Sequence, residues 1–152
     1  LRRLGKQAGL TSDFTILEPD DVTSLIARIM KDKGIDFLAL PPANVYRRIS
    51  NLKNELVGPE EFASQAVDYA DRQIAEIYPL LVEEAKRQNA LDFDDLLFHV
   101  AMLLKNDPEV RSRMDRRCRF ILVDEYQDTN LAQYAIARGL SLDHPNLCAT
   151  GD

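Results

Sequence analysis

Apolar residues recur at helical spacing through most of this chain. Leu1 to Ala8 read as the tail of a helix closed by Gly9. Val22, Leu25, Ile26, Ile29 and Met30 then stand three and four apart, with Asp20 or Asp21 as the expected cap and Gly34 as the stop. Pro41-Pro42 opens another helix, with Val45, Ile49, Leu52 and Leu56 on one face. Gly58-Pro59 ends it and starts the next, whose stripe is Phe62, Ala66, Ala70, Ile74, Ile77, Leu81 and Ala85. Pro79 lies inside that stripe and has no N–H for the carbonyl of Ala75, which predicts a kink or break near Tyr78. Asp92 caps an amphipathic helix with Phe93, Leu96, Leu97, Val100, Ala101 and Leu104 facing inward, and Asn106-Asp107-Pro108 marks its end.

The pattern changes from residue 109. A short basic segment leads into the apolar run Phe120–Val123, which reads as a buried strand. Asp128-Thr129-Asn130 supplies the cap of a helix running to about Arg138, Gly139 to Asn146 forms a loop, and Leu147–Thr150 forms a second strand. Strand, helix and strand make a βαβ unit. Two strands cannot make a stable sheet without neighbours.

The first of these strands runs straight into Asp124-Glu125. In open parallel sheets the ligand crevice lies beyond the carboxyl ends of the strands, where such a pair can hold a magnesium ion and orient a water. This is the Walker B type of pattern. Charge suggests the roles: Asp124 for the ion, through water, and Glu125 for accepting a proton from the attacking water. A strand that leaves a core must also meet polar residues somewhere, and that plainer reading stands beside the first. Asp128 reads as a helix cap rather than a ligand, and Tyr126 as core.

Composition narrows the class. With 45% hydrophobic and 29% charged residues the chain is not a disordered one, and no apolar run approaches the ~20 residues of a membrane span. Cys118 and Cys148, without CxxC spacing, suit small apolar positions in a cytoplasmic protein rather than a zinc site or a disulfide framework. A net charge of −6 restricts any nucleic-acid contact to a local patch. Two groups qualify: Arg47, Arg48 and Lys53, and the denser run Arg111, Arg113, Arg116, Arg117 and Arg119. A solvated, salt-bridged surface explains either equally simply. His99 reads as a satisfied core histidine.

The segment Asp124-Glu125-Tyr126-Gln127-Asp128-Thr129-Asn130 closely resembles motif II of the UvrD/Rep-type superfamily 1 DNA helicases, with Tyr126 where the family usually has Phe. Leu91 to Leu97, LDFDDLL, resembles the DFxxLL segment that precedes that motif in the family, and Thr150-Gly151-Asp152 resembles the opening of motif III. The likeness is strong over 91–152 and loose over 1–90. No GxxxxGK[ST] phosphate loop occurs, and the first residue is Leu1 rather than Met.

The resemblance implies a mostly α fold with a small α/β part. Residues 1–90 would be the helical subdomain inserted in the first RecA-like motor domain, and 91–152 an incomplete part of that P-loop NTPase domain. It implies a fragment of an ATP-dependent DNA helicase, translocating 3′ to 5′ on single-stranded DNA and unwinding duplex in repair or replication. ATP and Mg²⁺ would be its cofactors; single-stranded and duplex DNA and the remaining helicase domains of the same polypeptide would be its partners. Glu125 would be catalytic, Asp124 would hold the metal, and Asp124, Glu125 and Gln127 would serve the nucleotide. Gln127 could relay nucleotide state toward DNA, or simply pair with backbone. Arg47, Arg48 and Lys53 would approach the duplex. The isolated fragment, lacking the phosphate loop, would be inactive. Two rival readings are a helical protein-interaction module and a metal-dependent nuclease or phosphoesterase using Asp124, Glu125 and Asp128.

Overall fold

Four helices build the first part of the molecule: α1 (Pro19–Asp32), α2 (Pro42–Asn54), α3 (Pro59–Gln65) and α4 (Tyr69–Arg87). The computed structural model describes residues 1, 2 and 11–152, so the Gly9 stop and the helix tail expected before it, from residue 3 on, lie outside the described residues. The stripes read from the sequence meet in one apolar cluster in which Ile26, Met30, Val45, Ile49, Ile77 and Tyr78 are almost completely enclosed. Each such side chain contributes roughly 1.5–3 kcal/mol when removed from water, which makes this cluster the main source of the fold's stability.

Helix ends are set by proline and local capping. α1 starts earlier than the expected Asp20 or Asp21 cap: Pro19 takes the first helical position, Glu18 is the cap, and its N–H donates to Asp21 Oδ2 at 3.2 Å. Gly34, with φ +71°, ends α1 as expected. Leu56 lies beyond the end of α2 with φ +60°, and its backbone N–H donates to the carbonyl of Lys53.

The break predicted near Tyr78 occurs elsewhere. α4 runs uninterrupted through Pro79, while the stripe from Phe62 to Ala85 is cut at 66–68, where Asp68 caps α4 by accepting from the Asp71 N–H at 2.7 Å. Ala70 is consequently exposed. A proline inside a helix costs about 3 kcal/mol, and the buried Ile77, Tyr78 and Leu81 on either side of Pro79 outweigh it.

α5 (Phe93–Asn106) opens on the expected Asp92, in a reciprocal box: Asp92 Oδ1 accepts from the Asp95 N–H at 2.7 Å and the Asp92 N–H donates to Asp95 Oδ2 at 3.1 Å. Phe93, read as inward, is 53% exposed at the first residue of α5, while Ala101 and Leu104 further along are buried. The segment read as a basic linker is a helix, α6 (Pro108–Arg117), with Asp107 accepting from the N–H groups of Glu109 and Val110.

The strands are short. β1 (Thr15–Ile16) and β2 (Ala90–Leu91) pair in parallel, a contact too brief to leave a periodic signal. β3 (Ile121–Val123) and β4 (Leu147–Ala149) pair in parallel with α7 (Leu131–Gly139) between them, the expected βαβ unit. Phe120 and Leu122 are 80% and 83% exposed, and Cys148, expected to be buried, is exposed on this open sheet. The fold is thus mostly helical with small parallel sheets. Among the described residues no helix is long and apolar enough to cross a membrane.

Candidate functional site

The register of β3 on β4 puts the acidic pair in place. Val123 lies opposite Ala149, so the next residues, Asp124 and Thr150, come side by side at the carboxyl ends of both strands. The Thr150 N–H donates to the Val123 carbonyl at 2.8 Å and the Tyr126 N–H to the Thr150 carbonyl at 2.9 Å, extending the ladder past the strand ends. Thr150 Oγ1 then donates to Asp124 Oδ1 at 2.7 Å, and the Glu125 N–H donates to the same oxygen at 3.0 Å. The Thr150 hydroxyl, followed by the Glu125 N–H, holds the Asp124 carboxyl below the usual carboxylate range. Both bonds fall on Oδ1, and among the described residues Oδ2 carries none.

Glu125 turns the chain. Its backbone is left-handed, φ +51° and ψ +47°, a conformation that costs a residue with a Cβ roughly 1–2 kcal/mol. A single turn of 3-10 helix over Tyr126–Asp128 follows. Gln127 folds back across this turn: its Nε2 donates to Glu125 Oε2, and its Oε1 accepts from the Asp152 N–H at 3.2 Å. Gln127 therefore pairs on one side with the other candidate carboxylate and on the other with backbone. Gly151 makes room for it. A Cβ there would meet Gln127 Oε1 at 2.5 Å and the Tyr126 nitrogen at 3.2 Å.

Two expectations about the turn are corrected. Asp128 does not cap α7; Asn130 does, its Oδ1 accepting from the Gln133 N–H at 2.8 Å, because helical geometry begins only at Leu131. Tyr126 is not core but 46% exposed, since the 3-10 turn carries it off the strand.

The donor set suits a hard cation. Two adjacent carboxylates, each with an oxygen that carries no hydrogen bond among the described residues, and a neighbouring hydroxyl are oxygen ligands of the kind Mg²⁺ takes when phosphates and water complete its shell. Among the described residues no cluster of three or more His, Cys, Asp or Glu could cage a metal alone.

The first basic group is mostly committed elsewhere. Lys53, expected to face phosphate, is 3% exposed: its Nζ lies 2.6 Å from Asp92 Oδ2 and 2.7 Å from Asp95 Oδ1. Burial on its own would push this ammonium down, but the two carboxylates outweigh it and hold it above its ordinary value. Lys53 is thus a buried partner of the α5 cap, with its ammonium enclosed rather than offered to solvent. Arg48 makes a two-pronged pair with Asp71, 3.1 Å on each arm, and its guanidinium lies 5.2 Å from the centre of the Phe62 ring, tying α2 to α4. Arg47 is exposed and, among the described residues, bonded only to Asn44 Oδ1. Of the denser run, Arg111 is turned toward Asp143 at 3.5 Å, whereas Arg113, Arg116, Arg117 and Arg119 are exposed and make no ion pair among the described residues. His99 is half-buried against Phe98, and burial lowers its imidazole below the ordinary value, as suits a core histidine.

Sequence reasoning missed Thr150 as the partner of Asp124 and Asn54 as a partner of Asn130, whose Nδ2 donates to Asn54 Oδ1 at 2.6 Å. The first was within reach, because parallel pairing of the two apolar runs brings Asp124 beside Thr150. The second had no local signal, since the two residues are 76 positions apart.

Comparison with known proteins gives the family. The model of the UvrD/REP helicase N-terminal domain matches residues 1–152. An ATP-dependent DNA helicase PcrA of Staphylococcus aureus is 39% identical over 152 residues, and one of Staphylococcus epidermidis is 38% identical. In each case the match covers 100% of this chain and 21% of the relative, so the chain spans about a fifth of the length of these relatives. A match to the family model from end to end, with the DEYQDTN turn set at the carboxyl end of a parallel strand, means that this chain belongs to the UvrD/REP helicase N-terminal domain family.

Proposed function

We propose that this chain is the part of an ATP-dependent DNA helicase that supplies the metal and water side of the ATPase site. The observation that carries this is the placement of Asp124 and Glu125 at the end of a parallel strand, with Asp124 anchored by Thr150 from the neighbouring strand. The name of its relatives, which describes an ATP-dependent DNA helicase, supports the same reading. On it, α1 to α4 form the helical subdomain inserted in the first RecA-like motor domain, residues 1 to about 90. The remainder, 91–152, is an incomplete part of that motor domain. The separate apolar cluster of α1, α2 and α4 supports the division.

Asp124 would hold Mg²⁺ through water, and Glu125 would take the proton of the attacking water. Bound there, the ion would neutralise phosphate charge. Gln127, bonded to Glu125 Oε2, fixes the orientation of that carboxylate and links it to the backbone at Asp152. The whole protein would translocate 3′ to 5′ on single-stranded DNA in the cytoplasm and serve repair or replication. With Lys53 enclosed and Arg48 held by Asp71, Arg47 is the member of its group best placed to touch a phosphate.

In the full-length protein, Glu125→Gln keeps the shape of the site and removes the base. ATP turnover should fall at least ~100-fold with nucleotide binding retained. Turnover close to normal would overturn the assignment. Cleavage of DNA without ATP would favour a nuclease instead.

A further inference from the structure

The last two residues of α2 face the starts of two other helices. Lys53 pairs with Asp92 and Asp95, the cap and third residue of α5. Asn54 reaches both α5 and α7. Its Nδ2 donates to Asp94 Oδ1 at 3.0 Å and to the Ser50 carbonyl at 2.9 Å, while its Oδ1 accepts from Asn130 Nδ2 at 2.6 Å.

This set of bonds has only one consistent direction. A carboxylate and a carbonyl can only accept, so the Asn54 amide must turn its NH₂ toward Asp94 and Ser50. That leaves Asn54 Oδ1 for Asn130. Asn130 Oδ1 is already taken by the Gln133 N–H that caps α7, so its NH₂ must face Asn54. No amide here can be reversed without setting two acceptors or two donors against each other. The three side chains are half-buried, where such a mismatch costs more than at the surface.

The position of the chain of bonds gives it meaning. Asn130 is the last residue of the DEYQDTN turn, five positions after Glu125. Asp94 lies in the first turn of the helix whose cap holds Lys53. Asn54 belongs to α2, whose Val45, Ile49 and Leu52 lie within the apolar cluster of the helical part. One side chain therefore joins the carboxylate turn, the start of α5 and the helical cluster.

We propose that Asn54 is a positioning residue: it fixes the orientation of the helical part relative to the DEYQDTN turn, so that events at Asp124 and Glu125 are passed on to α1–α4. This rests on the helicase reading above. Asn54 touches neither carboxylate, and these keep their own partners in Thr150 and Gln127. Loss of Asn54 should accordingly separate hydrolysis from mechanical work.

The test uses two variants that break the same bond from opposite sides. Asn54→Ala removes the acceptor. Asn130→Ser removes the longer amide NH₂ that donates to Asn54 and keeps a side chain that caps α7 well. In the full-length protein each should leave single-strand-stimulated ATP turnover and the KM for ATP within about twofold, while base pairs opened per ATP fall at least about fivefold. The double variant should be no worse than either single one. Additive loss, or unwinding and turnover falling in proportion, would mean ordinary packing and would overturn the proposal, as would unchanged unwinding per ATP. A stability cycle on the present chain separates this from the functional reading. Non-additive urea midpoints confirm the bond even if the full-length protein proves to have no ATPase, in which case the helicase reading is what fails.

Discussion

A glycine two residues beyond a strand makes a small but specific demand on the site. Gly151 sits under Gln127, and the Cβ of an alanine there would meet Gln127 Oε1 at 2.5 Å. Backbone is also near, at 3.2 Å from the Tyr126 nitrogen, so the new methyl cannot settle by moving the side chain alone. Gly151→Ala should unseat Gln127 from Glu125 and lower ATP turnover of the full-length protein by about 10- to 100-fold, because a misplacement of the order of an ångström near reacting groups has that effect. A chevron or melting curve on the same variant should show little change, since Gln127 is exposed. If turnover stays normal while Gly151→Ala folds normally, Gln127 has no part in placing Glu125. At this scale the acidic pair was legible from residue type and position alone. Lys53 was not: a lysine at the end of an amphipathic helix carries no mark of whether a carboxylate pair 39 positions later will enclose it.

Among the elements, α6 has the least expected role. Its sequence reads as a basic lead-in, yet its Asp115 is fully enclosed and organises the loop before β4. Asp115 Oδ2 accepts from the N–H groups of Asp143 at 2.7 Å and His144 at 3.3 Å, and Oδ1 lies 2.8 Å from His144 Nδ1. Burial alone would raise this carboxyl, but the hydrogen bonds, the Asp143 N–H foremost, outweigh it and hold it below its ordinary value. A carboxyl depressed in the folded state stabilises above its unfolded pKa of about 3.9 and loses that contribution as pH falls through the folded value. Asp115→Asn should therefore destabilise the chain by about 1–3 kcal/mol at pH 7. The gap from the parent chain should narrow when urea titrations are repeated below about pH 3.5. A gap independent of pH would mean that shape, not charge, holds the loop. Long amphipathic helices were legible because their stripes repeat over several turns. The short pieces were not: α6 has few apolar residues to betray it, β1 and β2 are two residues each, and the cut at 66–68 depends on Asp68 capturing a nearby N–H.

The whole molecule divides its stability unevenly. The apolar cluster of α1 to α4 is closed, whereas the sheet of β3 and β4 leaves Phe120 and Leu122 largely in water. Amides of 121–123 and 147–149 should exchange with solvent far faster than those of α1 and α4, and uniform protection across both parts would contradict this. The chain alone carries no phosphate loop and should show no ATP turnover above background. Micromolar nucleotide affinity of the isolated chain would place the site elsewhere. The enclosed Lys53 has a further consequence, for exchange of parts between relatives. A transplant of the helices cut at residue 90 would move this ammonium and leave Asp92 and Asp95 behind in the recipient. Where the recipient offers no equivalent carboxylates, the hybrid should lose about 3–5 kcal/mol, the cost of stranding one member of an enclosed ion pair. A cut made after Asp95, carrying Lys53 together with both acids, should recover most of it. The natural seam for moving this piece between proteins therefore lies inside the first turn of α5, not at the boundary between helices.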